Sequence, residues 1–219
     1  MARTTTRERT VDALLRTHGE TYAHEAGIRL RDTPQPLYQT LVLAALLSAR
    51  IRAGVAVAAA RALFGAGMRT PERMEAADWQ QRVDALGEGH YRRYDESTAT
   101  TLGKSARFVR ERHQGDLRRM RAEADGDPRR MRALLREVPG IGPAGADIFL
   151  REVQDLWPEF APYIDGKAVQ GAERLGLPKT SRTLGRLVPE GHRAELAAGL
   201  VRAALDKGVA EEVREAVPA

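Results

Sequence analysis

Two short stretches of this chain hold residue types whose spacing could do chemistry. In Ala161-Pro-Tyr-Ile-Asp-Gly-Lys-Ala-Val-Gln170, Asp165 follows an apolar approach and opens a helix. An aspartate there is an N-cap by type. The same carboxylate, set in a cleft, can stabilise a growing positive charge or orient a water. The two roles are compatible. Lys167, two residues on, offers an amine that serves either as a phosphate or solvent contact or as a nucleophile.

The second stretch is Leu134-Leu-Arg-Glu-Val-Pro-Gly-Ile-Gly-Pro-Ala-Gly-Ala-Asp-Ile-Phe-Leu150. It predicts a helix, a tight hairpin and a second helix with Ile148, Phe149 and Val153 on its apolar face. Gly140 and Gly142 can take positive φ and leave backbone N–H groups uncovered. Pro143 suits the first turn of the second helix, whose N-terminus aims its dipole at the same spot. The whole of Val138, Pro139, Gly140, Ile141, Gly142, Pro143, Ala144 and Gly145 then forms a neutral grip for phosphate. Such a grip holds nucleic acid without reading its bases.

The elements that must position these residues read almost entirely as helix, with no period-2 strand. A first helix begins over Val11 to Arg16, and Asp32-Thr-Pro-Gln-Pro36 breaks the chain before Leu37 to Arg50. That helix is apolar nearly all round and so predicts a central buried element. Gly54 precedes an alanine-rich helix ending near Phe64. Thr70 and Asp78 cap two short helices, the second closed by Gly87. After the aromatic and basic turn Gly87-Glu-Gly-His-Tyr-Arg-Arg-Tyr94, a helix runs from about Ser97 to His113. Residues 116–124 form a very basic segment with the look of an insertion, and Asp127-Pro128 caps the helix entering the hairpin. Asp165 opens a helix ending near Gly176, and a last one is expected from Pro189 to about Lys207.

Net charge of +5 over 219 residues, with 30% charged, fits a polyanionic partner. The absence of cysteine excludes disulfides, thiolate-ligated zinc and cysteine-held iron–sulfur clusters. No histidine pair has metal-ligand spacing, and His18, His24, His113 and His192 read as surface residues. The polar beginning Met-Ala-Arg-Thr-Thr-Thr lacks a signal-peptide core, and the apolar run Leu41 to Leu47 is too short to span a bilayer. A cytoplasmic, nucleoid-associated monomer without membrane contact is expected.

The order of these blocks resembles the helix-hairpin-helix DNA glycosylases, the superfamily of endonuclease III, over roughly Leu37 to Leu175. Leu46-Leu-Ser-Ala-Arg50 is similar to that family's Leu-Leu-Ser-Ala-Gln block, Gly87-Glu-Gly-His-Tyr-Arg-Arg to its Gly-Leu-Gly-Tyr-Tyr-Ala-Arg turn, and Val138-Pro-Gly-Ile-Gly142 to its hairpin. Ile164-Asp165 sits where its Val-Asp carries the catalytic aspartate. The resemblance implies an all-α, two-lobed fold with the active-site cleft between lobes. Residues 36–153 would form the central lobe, and 1–35 with 154–219 the second. It implies Asp165 as the catalytic residue, Arg50 as the filler of the gap left by a flipped base, and His90 and Tyr91 as the opposing wedge. Tyr38, Trp157 and Tyr163 are the aromatics available to a base pocket. The partner implied is double-stranded DNA with a damaged or mismatched base.

The departures narrow the chemistry. The Schiff-base lysine of bifunctional relatives falls at Ala144, so their lyase step has no nucleophile unless Lys167 supplies it. Hydrolysis of the N-glycosidic bond without strand cleavage is therefore the expected reaction, with a non-catalytic DNA-binding protein as the other reading. No metal or organic cofactor is expected beyond a monovalent cation at the hairpin backbone.

Overall fold

The computed structural model describes residues 5–217, and among them every regular element is helical. No described helix is long and apolar enough to cross a membrane. The chain divides into two units, residues 23–150 and residues 1–22 with 151–219. The division differs from the 36–153 expected of a central lobe. The stretch 23–35, which includes most of the short α2 (Tyr22–Glu25), goes with the central unit because its own groups are tied there. Asp32 pairs with Arg121 at 2.9 Å, and the Glu25 carbonyl accepts from Arg61.

The central unit is built on α3 (Pro34–Leu47), whose Leu37, Tyr38, Leu41, Leu43 and Leu46 are at most 1% exposed. A helix so apolar on all sides must be surrounded. It is packed by α4 (Ala53–Gly65) and touched by α8 (Leu117–Ala124). α4 in turn packs on α6 (Trp79–Glu88), and the two approach so closely that a Cβ on Gly89 would overlap the Ala59 backbone. α7 (Asp95–His113) lies against α5 (Pro71–Ala76) and α6. Thr70, Asp78, Asp116 and Asp127 each cap the helix that follows, as their types require. The basic segment is a true helix. Leu117, Met120 and Ala124 anchor it, so its arginines are driven outward. His113, expected on the surface, is only 3% exposed because α7 ends against α8. Burial holds its pKa below the ordinary histidine value.

The other unit packs α1 (Thr6–His18) and α11 (Gly166–Arg174) on α13 (Arg193–Leu205). At the α11–α13 crossing a Cβ on Gly171 would overlap the Leu200 carbonyl, so the helices touch backbone to backbone. The last helix expected from Pro189 to Lys207 is two helices. α13 stops at Leu205, and Asp206 caps a new one, α14 (Lys207–Glu215), through the Gly208 N–H at 2.8 Å. The short α12 (Ser181–Gly185), capped by Thr180, had no apolar periodicity to announce it.

Candidate nucleic-acid interface

The hairpin lies between α9 (Pro128–Glu137) and α10 (Pro143–Val153). Its turn closes through the Ile141 N–H donating to the Val138 carbonyl at 3.0 Å, with both side chains buried. Gly140 has φ of +87° and faces α7 so closely that a Cβ would sit 2.5 Å from Thr101 Cγ2. Glycine is required there twice over, by conformation and by space. Gly142 differs from expectation: it keeps an ordinary φ and its Cα faces open space. A side chain at this position would meet nothing in the chain. Gly140, Gly142, Pro143 and Ala144 are exposed, and the first-turn N–H groups of α10 lack intrahelical acceptors. The result is an exposed array of amide donors at a helix N-terminus, which suits an anion.

Arg50, the Gly87–Tyr94 turn and the hairpin meet in the central unit. Ser48, Arg50, Tyr91, Tyr94, Thr101, Pro139 and Gly140 line one recess of about 320 Å³. α3 ends at Leu47, so Ser48, Ala49 and Arg50 form a turn rather than the helical continuation expected, and Arg50 is exposed at the recess. A Cβ on Gly145 would lie 3.6 Å from Ser48 Oγ, so the first turn of α10 rests directly on this turn.

The opposing turn splits the two residues predicted as a wedge. His90 is exposed and takes a left-handed φ of 61°, uncommon for a residue with a Cβ. Tyr91 is 1% exposed, its hydroxyl 3.4 Å from Thr98 Oγ1, so it walls the recess and cannot serve as a projecting wedge. Tyr94 lies beneath the Arg93 guanidinium, 5.2 Å from its ring centre.

Two of the three aromatics proposed for a base pocket are core residues. Tyr38 is fully enclosed at the centre of α3, and burial pushes its hydroxyl pKa well up. Trp157 is equally enclosed and meets Phe160 edge-on at 6.1 Å. Neither ring offers a face to a ligand. Tyr163 is half-buried, its backbone N–H held by Gln154 Oε1 at 2.8 Å.

In the other unit, Asp165 caps α11 through the Ala168 N–H at 2.9 Å. Its second oxygen takes a contact absent from the sequence reading: Arg151 Nη1 lies 2.5 Å from Asp165 Oδ2. The side chains are 6% and 8% exposed, so this is a buried pair. The segment presenting Asp165 is itself clamped. The Gln154 amide, fully buried, donates to the carbonyls of Tyr163 and Arg193, and Ser181 donates to that of Ile164. Lys167 is exposed and donates to Gln170 Oε1 at 2.9 Å. The signal for Arg151 was present: a charge following Ile148-Phe149-Leu150 on a buried helix needs a partner, and Asp165 is an available acid. Without cysteine the chain holds no cysteine-ligated cluster, and no three ligand-type side chains gather among the described residues.

No sequence-family model matches the chain, and no curated protein matches it in sequence at a significant level. Solved structures do match. One is a trapped covalent intermediate of endonuclease III with DNA, an estranged-adenine complex, at a TM-score of 0.50 and 17% identity. Another is a non-covalent endonuclease III–DNA complex, at 0.51 and 17%. Each match covers 79% of this chain and 74% of the other. The chain thus shares the fold of these endonuclease III structures.

Proposed function

We propose that this protein removes a damaged or mismatched base from duplex DNA by hydrolysing its N-glycosidic bond, without a lyase step. The observation that carries this reading is the recess in the central unit. There the Ser48–Arg50 turn, the Tyr91–Tyr94 turn and the amide-presenting hairpin converge, on a fold whose solved examples hold DNA. The hairpin amides take a backbone phosphate and fix the register. Turning the base out costs a few kcal/mol, least for a damaged or mispaired one, and selection begins there. Arg50 enters the vacated stack, where its planar guanidinium can stack on or hydrogen-bond the orphaned base. His90, exposed on the opposing turn, contacts the other side.

Asp165 then faces the positive charge that grows on the sugar as the bond stretches. A bare carboxylate about 4 Å away would stabilise that charge by about 4 kcal/mol at an effective dielectric near 20. Arg151 tempers this. A guanidinium about 4 Å farther off offsets roughly 2 kcal/mol, leaving a rate effect of about thirtyfold unless Arg151 swings away. Ala144 brings no amine to the hairpin, and Lys167 is engaged with Gln170, which supports the hydrolytic route over a covalent one.

The neutralising pair also favours a second reading, a DNA-binding protein that keeps the scaffold without the excision chemistry. Incubation with duplexes carrying alkylated, oxidised, deaminated and mismatched bases decides between them. Free base released by wild type and lost in Asp165→Asn supports excision. Tight lesion binding with no release from any duplex supports the second reading. Borohydride trapping on abasic DNA that vanishes in Lys167→Ala would instead establish a lyase using that amine.

A further inference from the structure

Toward the other end of α3 lies a cleft of about 420 Å³ that the excision reading does not use. Arg29, Arg61 and Arg69 reach it from three separate segments, with Gln35, Gln39 and Phe64 among the residues between them. No carboxylate side chain lines it. Some arginines elsewhere in the chain do take acids. Arg107 and Arg110 share Glu75, Arg118 takes Asp116, Arg121 takes Asp32, and Arg132 takes Asp147. Arg29, Arg61 and Arg69 form no ion pair among the described residues.

Two of the three are fixed by backbone carbonyls instead. Arg61 Nη2 donates to the Glu25 carbonyl, and Arg69 Nε donates to that of Phe64 at 2.7 Å. Each bond uses one donor of five and leaves the rest of the guanidinium free to meet a ligand. Gln39 lines the same cleft although it is only 8% exposed, and its Oε1 takes the Gln35 amide at 3.5 Å. Its own amide N–H groups are left for a ligand.

We propose that this cleft binds a phosphate group. Convergent guanidiniums present several N–H donors in planar forks that match tetrahedral anions, and a neutral buried amide adds a donor without competing charge. The lack of any lining acid disfavours a cation or an amine. The cleft lies on the order of 15–20 Å along the α3 axis from the Ser48 turn, so it is a separate site. The phosphate comes either from a free nucleotide or from a DNA strand running past the cleft. Only the second source depends on the DNA reading.

The test is calorimetric titration with inorganic pyrophosphate and with a nucleoside monophosphate, beside duplex binding by fluorescence anisotropy. Wild type is compared with Arg29→Gln, the triple Arg29→Gln/Arg61→Gln/Arg69→Gln, and a surface control, Arg129→Gln/Arg130→Gln. Arg29→Gln removes no contact to the backbone and so reads binding even if the triple variant melts early. A free-ligand site appears as saturable binding weakened about tenfold or more in Arg29→Gln and untouched in the control. A DNA source appears as no binding of the small anions, with duplex affinity and its salt slope lowered in Arg29→Gln but not in the control. Equal losses in Arg29→Gln and the control, or no loss in either assay, overturn the proposal.

Discussion

Single residues decide whether the scaffold is an enzyme, and Asp165 is the first to test. Sequence alone expects Asp165→Asn to fold almost normally, since asparagine caps nearly as well as aspartate. The structure changes that expectation, because the substitution strands Arg151 as a buried charge with no counter-ion. Removing one member of such a pair typically destabilises by about 3–5 kcal/mol. Asp165→Asn should therefore melt well below wild type. Adding Arg151→Gln should restore much of that loss without restoring base release. An Asp165→Asn protein with unchanged melting would show that the pair does not persist in solution. Tyr38 tests the opposite case. Its hydroxyl is fully buried and finds no hydrogen-bond partner among the described residues. Tyr38→Phe removes an unsatisfied group and leaves the ring packing, so stability should rise by about 1 kcal/mol, read as a higher denaturation midpoint. A fall would mean that an ordered water serves the hydroxyl.

At the scale of elements, the two hairpin glycines give predictions of different kinds. Gly140→Ala meets both a left-handed φ and Thr101, so it should cost about 1–3 kcal/mol of stability and loosen the hairpin against α7. Gly142→Val meets nothing in the chain. It should leave melting unchanged while weakening every duplex alike, because it blocks only the incoming phosphate. Loss on one DNA sequence alone would contradict a backbone grip. The same contrast explains what the sequence made legible. Caps, the hairpin and the helix order rest on short-range rules, so Thr70, Asp78, Asp127 and Pro143 announced their elements directly. Asp206 went unread because its cap follows an unbroken helical pattern. Tyr38, Tyr91 and Trp157 were misjudged because an aromatic's type does not say which side of its element is covered. Arg151–Asp165 and the Gln154 clamp join residues through tertiary packing, which spacing along the chain does not encode.

For the whole molecule, the proposed function asks how a protein with a neutral hairpin would hold a polyanion. Net charge of +5 supplies a general attraction, but the paired arginines contribute little to it. On that reading, arginines without carboxylate partners among the described residues would neutralise phosphates, Arg50 among them at the recess. Each phosphate neutralised releases counterions and adds about −0.9 to the slope of log affinity against log salt. A slope of about −3 to −5 is expected on undamaged duplex, with affinities nearly independent of sequence. Arg50→Ala separates two roles within that total. As a phosphate contact, Arg50 would leave a slope shallower by about 1 and equal losses on damaged and intact DNA. As the residue that fills the vacated stack, its removal should keep the slope and lower affinity for lesion duplex alone. The exposed turn after α3, set at the edge of the recess and beside the hairpin, favours the second outcome. A flat salt dependence in the wild type would exclude phosphate gripping by hairpin and arginines together.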